Sequence, residues 1–395
     1  MTDSFAKVYD ARPGYEVTFL GPVKKIRASK KTTFLEVGCG QDVPYQVVCD
    51  SKTLPKVTVE SYVRITGKKT RLPDGKRSYY GFEIQASSVE VLSLAAEDAL
   101  SICPAGASSD VKLDKRIFYF RDPTFAQTLI LADMLQSSFR EYFEDHKFIS
   151  IDPPSFTSVE CEGGASLFKL EHPGKSTDKP MTVYLTQSSQ FALEYLVPAL
   201  GDTYCIAPSF RAEHSHTRRH LTEFVHIEYE RAGVLSIKQH IEQLRDMLCG
   251  VLKIFCEYLE EDEQYKPHLT RVEKLLKDCQ EGILLTHREA IEKCRELLIY
   301  KDPETKTHFD DRDDIPEAQE RALIDTIGKV VFLYKFPKEF KSFYMGLDPE
   351  DPSYVLGCDV EVPGVGEIIG SGIRESDYDR LHTRLVEAGL KPEDY

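Results

Sequence analysis

The chain lacks several features that would place it at once. None of its ten cysteines forms a Cys-x-x-Cys pair, so the sequence reads as reduced thiols rather than a zinc site or a disulfide framework. No apolar run is long enough to span a bilayer. The start, Met1 to Gly14, has neither the apolar core of a signal peptide nor the arginine-rich, acid-poor character of a transit segment. An excess of positive charge is missing too: 50 Lys and Arg face 65 Asp and Glu, a formal charge of −15. That balance argues against indiscriminate nucleic-acid binding and leaves room only for a local basic face. What remains is an ordinary soluble composition, 41% hydrophobic and 29% charged, over 395 residues. This length accommodates two or three domains and a large core. A cytoplasmic location is the default expectation.

Residues 15–95 read as a small β domain. The runs Tyr15–Leu20, Thr33–Val37, Tyr45–Cys49, Ser61–Thr66 and Tyr80–Ile84 are strand-like, punctuated by Gly21-Pro22, Gly38-Cys-Gly40 and Asp74-Gly75. Five short strands suggest an OB-type barrel, a frequent reader of single-stranded RNA. Lys24, Lys25, Arg27, Lys30 and Lys31 form a basic patch beside Phe34. Solubilising edge charges around a core phenylalanine would explain the same residues. A small-residue stretch, Pro104 to Asp110, marks a linker over 101–122 between domains at 1–100 and 123–395.

In the second domain, Leu131, Leu135, Phe139 and Phe143 recur every four residues, a helical stripe. Ser236 caps a further long helix with its own stripe through Ile237, Ile241, Leu244, Leu248, Val251 and Phe255, and Gln239 completes a capping box. Thr286 and Glu289 suggest a second box. Glu162 stands before two glycines, where backbone can approach a ligand closely. Gln190 opens a helix that Ser188 or Ser189 would cap. Val330–Tyr334 and Ser342–Met345 return to a strand pattern.

The most informative stretch is Phe210 to Glu230. Tyr204–Phe210 is an apolar strand with Pro208 inside, which suits a sheet edge. After the polar tip His214–Arg219, residues from Leu221 alternate with strand period. The whole reads as an antiparallel hairpin with Arg211 and Glu213 on one face of its first strand. Phe224, Glu228 and Glu230 share a face of the second. Cations, carboxylates and one aromatic on such a surface suit a nucleotide. A solvated charged hairpin would account for the tip but not for the arginines clustering in an acidic chain.

Phe-Arg-Ala-Glu at 210–213 and Arg-His-Leu-Thr-Glu-Phe at 219–224 resemble motif 2 of the class II aminoacyl-tRNA synthetases, in the aspartyl and asparaginyl subgroup. The helix, strand and Pro154 after Leu131 resemble motif 1, which forms the homodimer interface in that family. The resemblance implies an α+β fold: an N-terminal OB barrel that holds the anticodon, joined to a class II domain of antiparallel sheet flanked by helices. It implies ATP and magnesium as cofactors. Arg211, Glu213, Arg219, His220 and Phe224 would bind ATP, with Arg211 also catalytic. Glu162 and Gln190 would hold the amino acid's ammonium and Arg374 its side chain. Asp359, Glu361 and Glu367 would coordinate magnesium. On the barrel, Arg27, Phe34 and Gln46 would meet the anticodon.

The aspartyl form has a lysine where this chain has Leu193, and that lysine neutralises the substrate carboxylate. Without it a desolvated carboxylate is costly, whereas a neutral amide is not. Glu228 and Lys341-Ser-Phe-Tyr-Met point the same way, so tRNA(Asn) and asparagine are the expected partners. The turn Gly370-Ser371-Gly372 before Ile373-Arg374 departs from the family's Gly-Gly-Ser before Met-Arg. The family's third motif, glycine-rich with an ATP-clamping arginine, would follow the segment matching 389–395, and the sequence reads as a truncated form. Three alternatives are an aspartyl enzyme, a synthetase paralogue acting only as an RNA- or protein-binding module, and an asparagine synthetase on the same catalytic domain, against which the barrel counts.

Overall fold

A computed structural model describes residues 5–38, 43–72, 78–104, 106–159, 161, 167–172, 181–212 and 221–395. The chain divides into two compact units, Met1–Asp133 and Met134–Tyr395.

The first unit is built on β1 (Glu16–Ala28), β2 (Thr32–Val37), β3 (Tyr45–Asp50), β4 (Tyr62–Arg71) and β5 (Phe82–Ser93), closed into a barrel in the order β1-β2-β3-β5-β4. The five strands lie where the sequence pattern places them, though β1, β4 and β5 run longer. Closure removes the exposed edges that short strands would otherwise present. Alternation sends Phe19, Leu35, Val37, Val47, Ile65 and Ile84 inward to a common core. Gly21 is obligatory at the bend of β1, because a Cβ there would lie 1.4 Å from the carbonyl oxygen of Gly38. Past the barrel, the expected linker contains two short helices, Ser109–Asp114 and Arg116–Tyr119. The Ser108 side chain caps the first.

The second unit holds β6 (Ile149–Ser150), β7 (Phe156–Thr157), β8 (Lys169–His172), β9 (Met181–Leu185), β10 (Thr203–Phe210), β11 (Glu223–Glu230), β12 (Ile283–Thr286), β13 (Val331–Pro337), β14 (Tyr354–Val362) and β15 (Gly366–Gly372). They form sheets ordered β11-β10-β6, β12-β13-β14-β15 and β7-β9-β8. β10 and β11 make the expected antiparallel hairpin, from Thr203 opposite Glu230 to Phe210 opposite Glu223. Pro208 fits there because β6 pairs with Thr203 and Tyr204, and among the described residues no strand pairs with that side of β10 at the proline.

Helix Pro123–Asp145 and helix Ile237–Glu261 bury their stripes on this framework. Phe143, Ile241, Leu244, Leu248 and Val251 share one core with Tyr204, Phe332 and Val360. Ser236 accepts from the Gln239 amide at 3.3 Å, but the Gln239 side chain reaches the amide of Leu235 rather than that of Ser236. Thr286 and Glu289 form the full reciprocal box. Ser342–Met345 is not a strand. It is a turn held by an isolated bridge between Met345 and Arg374.

Candidate active site

The second unit brings the charged face of β11 against the end of β15 and the helix Gln190–Glu194. Phe224, Glu228 and Glu230 alternate on one face of β11, while Ile227 and Tyr229 pack into the core behind. The Arg211 guanidinium lies 5.4 Å from the centre of the Phe224 ring, so the cation and the aromatic are adjacent as the hairpin pattern requires. Glu213, Arg219, His220 and Glu162 lie outside the described residues.

Glu228 reaches across to the start of the short helix, where it accepts from the Ser189 amide at 2.8 Å and from the Ser188 hydroxyl. Ser188 in turn accepts from the Gln190 amide at 3.1 Å, whereas the Ser189 side chain makes no capping bond. Gln190 is buried, and its Nε2 donates to Glu194 at 3.4 Å. Arg374 converges on the same place. Its Nε is 2.8 Å from Glu194 Oε1, its Nη2 donates to Glu230, and its guanidinium lies 5.0 Å from the centre of the Tyr344 ring. Burial pushes the Glu230 carboxyl up to about 7 despite the arginine, with Glu194 adding repulsion. Leu193 is wholly buried.

Sequence reasoning gave Arg374 a role but not its partners. Glu194 was legible only as the residue one helical turn after Gln190. Its approach to Arg374, 180 positions along the chain, is a tertiary fact.

Further along β14, Asp359 pairs with Lys341, and its Oδ1 is buried without a hydrogen-bond partner. Glu361 is 1% exposed. Burial, then Glu320, Glu367 and Asp359, push it up to about 9, so it keeps its proton at neutral pH. Glu320 is likewise pushed up to about 7 by burial and nearby carboxylates. Glu367 is exposed, beside Gly370, where a Cβ would lie 2.9 Å from its Oε1. Among the described residues no three His, Cys, Asp or Glu side chains are gathered as a cation site. The orphaned Asp359 oxygen and the crowding of carboxylates nonetheless fit a divalent ion that would relieve both.

On the barrel, Arg27, Phe34 and Gln46 form one patch. Arg27 donates to Gln46 at 3.1 Å and lies 5.8 Å from the centre of the Phe34 ring. Phe34 is half-buried and stands on the outer face of β2, while Leu35 and Val37 fill the core. A pocket of about 220 Å³ opens at Arg27 and Gln46, lined also by Tyr79 and Tyr80 among others. In the basic patch, Lys24 is paired with Glu60 at 3.0 Å, whereas Lys25, Lys30 and Lys31 are exposed.

The sheets of the second unit are largely antiparallel, with β6 on β10 and β12 on β13 as parallel pairs, and a barrel followed by a sheet that carries this hairpin is the arrangement of a class II synthetase. The family model for tRNA synthetases class II (D, K and N) matches residues 108–395, and the chain belongs to that family. Within it, the chain is similar to several asparagine ligases. The chain is 34% identical over 377 residues to the cytoplasmic asparagine--tRNA ligase of Dictyostelium discoideum, covering 94% of this chain and 56% of that protein. It is 33% identical over 394 residues to the mouse cytoplasmic enzyme, covering 97% and 67%. The asparaginyl-tRNA synthetase of Entamoeba histolytica superposes with a TM-score of 0.83 at 30% identity, over 98% of this chain and 87% of that one. That of Pyrococcus horikoshii, solved with asparaginyl-adenylate, gives 0.84 at 27% identity, over 100% and 88%. Among the described residues no helix is long and apolar enough to cross a membrane.

Proposed function

We propose that the protein activates asparagine with ATP and transfers it to tRNA(Asn). An oxygen of the asparagine carboxylate attacks the α-phosphorus in line, and the bond to pyrophosphate breaks. The terminal ribose hydroxyl of the tRNA then takes the acyl group and releases AMP. Protein groups act mainly by positioning and charge neutralisation. Arg211 bridges the α-phosphate and the carboxylate, and Phe224 stacks on adenine. Glu213 contacts the adenine amine, and Arg219 and His220 lie near the outer phosphates. Glu162 and Gln190 hold the ammonium. Asp359, Glu361 and Glu367 would hold magnesium, which supplies charge neutralisation to the triphosphate. Arg27, Phe34 and Gln46 face the anticodon.

The observation that carries the choice of amino acid is the setting of Arg374. Two carboxylates, Glu194 and Glu230, already engage this one cation. An aspartate side chain would bring a third carboxylate to a single guanidinium, whereas an asparagine amide brings none. A homodimer through the Pro154 region accords with the exposed apolar side chains of Ile149 and Phe156 that flank it. A cytoplasmic location accords with the naming of the relatives.

The test is ATP–pyrophosphate exchange with asparagine and aspartate in turn, together with calorimetric binding of a non-hydrolysable asparaginyl-adenylate analogue. Asparagine should be preferred by about 10⁴-fold or more, as for other sites that discriminate through buried polar groups. Equal or preferential use of aspartate would overturn the assignment.

A further inference from the structure

One pairing ties the long helix to the strand that leads into Arg374. His240, in the first turn of helix Ile237–Glu261, is 8% exposed, and its Nε2 lies 2.9 Å from Ser371 Oγ. Ser371 is a β15 residue opposite Cys358 of β14, and its hydroxyl lies 2.6 Å from the Cys358 carbonyl oxygen. A carbonyl can only accept, so the Ser371 hydroxyl donates to it. The serine oxygen then has a lone pair left, and His240 must carry its proton on Nε2 to donate there. This contact uses the hydroxyl that the Gly370-Ser371-Gly372 order places where the resembling family has glycine.

The chain continues directly from this anchor into the recognition arginine. The Ile373 amide donates to Leu356 at 3.0 Å, and its carbonyl accepts from Gly346 at 2.7 Å. Arg374 follows, bridged to Met345 and held by Glu194 and Glu230. No group in this series is free to shift alone: moving β15 away from the helix moves the guanidinium relative to its carboxylates. Burial, and then the charge of Arg374, also push His240 down to about 4, so a neutral ring faces the arginine.

We infer that His240 is a positioning residue for amino-acid recognition, which through its hydrogen bond to Ser371 holds β15, and with it Arg374, in register with Glu194 and Glu230. The inference rests on the reading of this site as asparagine-binding. A residue that only filled space would be replaceable by leucine, which matches the apolar neighbours of the helix.

The experiment is calorimetric binding of asparagine, and separately of ATP, to the wild-type chain and to His240→Leu, His240→Asn, Ser371→Gly and the double variant His240→Leu/Ser371→Gly. Loss of one hydrogen bond corresponds to a weakening of about three- to tenfold. His240→Leu should weaken asparagine binding by that factor with ATP binding unchanged. His240→Asn, which keeps a donor, should restore most of it, and the double variant should be no worse than the worse single one. Wild-type asparagine affinity in His240→Leu would overturn the inference alone. So would equal weakening of asparagine and ATP, which marks a general loss of fold. If the wild-type chain binds no asparagine, the functional reading falls and this inference with it.

Discussion

Arg374 Nε lies 2.8 Å from Glu194 Oε1, although the two residues are 180 positions apart and only Arg374 stood out in the sequence. The same guanidinium donates to Glu230, so one cation serves two carboxylates. Two carboxylates, one of them pushed up to about 7 by burial, thus share this guanidinium. On the proposed reading, an acidic substrate side chain would compete with both for the same guanidinium, and this competition is the property expected to separate asparagine from aspartate.

Arg211→Ala should lower ATP–pyrophosphate exchange by at least about a hundredfold, since one charge-assisted clamp on the transition state is worth about 3 kcal/mol or more. The fold should survive, because the β10–β11 register does not depend on the Arg211 side chain. Exchange rates measured beside circular dichroism decide this. Wild-type turnover in the variant would remove Arg211 from the mechanism.

Glu230 gives stability a pH dependence of known sign. Its carboxyl is pushed up to about 7 from the ordinary 4.5. Between those values the folded state binds more protons than the unfolded one, so this group's contribution makes stability fall as pH rises through that window. Glu230→Gln should flatten the fall between pH 5 and pH 7.5 in urea melts. An unchanged slope would show that Glu230 titrates as an ordinary carboxyl.

Magnesium should raise the melting temperature of the wild-type chain, and raise it less in Glu361→Gln. Glu361 holds its proton beside Glu320, Glu367 and Asp359, and a divalent ion would displace that proton and draw these carboxylates together. Without magnesium the variant should be the more stable of the two at neutral pH, because the amide folds without taking up the proton that the buried Glu361 carboxyl requires. An identical magnesium response in both would exclude Glu361 from the cation site.

Phe34→Ala should weaken binding of an anticodon stem-loop by about 1–3 kcal/mol, the range for one stacked base. Its melting temperature should stay close to wild type, since Phe34 stands outside the barrel core. A gel-shift series in rising salt, beside a thermal melt, gives both readings. A large drop in melting temperature with unchanged RNA affinity would return Phe34 to a packing role.

Much of this architecture was legible in the chain itself. Period-two alternation marked the five barrel strands and the β10–β11 hairpin, because a strand with one buried face must alternate. Four-residue stripes marked Leu131 to Phe143 and Ile237 to Phe255, because a helix buries one side. Phe34 was ambiguous by the same logic. Alternation says that neighbours face opposite ways, but which way is inward is settled only when the barrel closes.

Residue types and local spacing, then, determined the elements, the hairpin that presents Arg211 and Phe224, and the family they resemble. Only the tertiary structure decided what surrounds Arg374: Glu194 from a short helix, Glu230 from β11, Tyr344 from a turn, and His240 acting through Ser371. The reason is physical. Periodicity and capping are set by neighbours a few residues apart, whereas burial beside an opposite charge is set by which distant elements pack together. The perturbed states of Glu230 and Glu361 belong to that second kind, since desolvation dominates both.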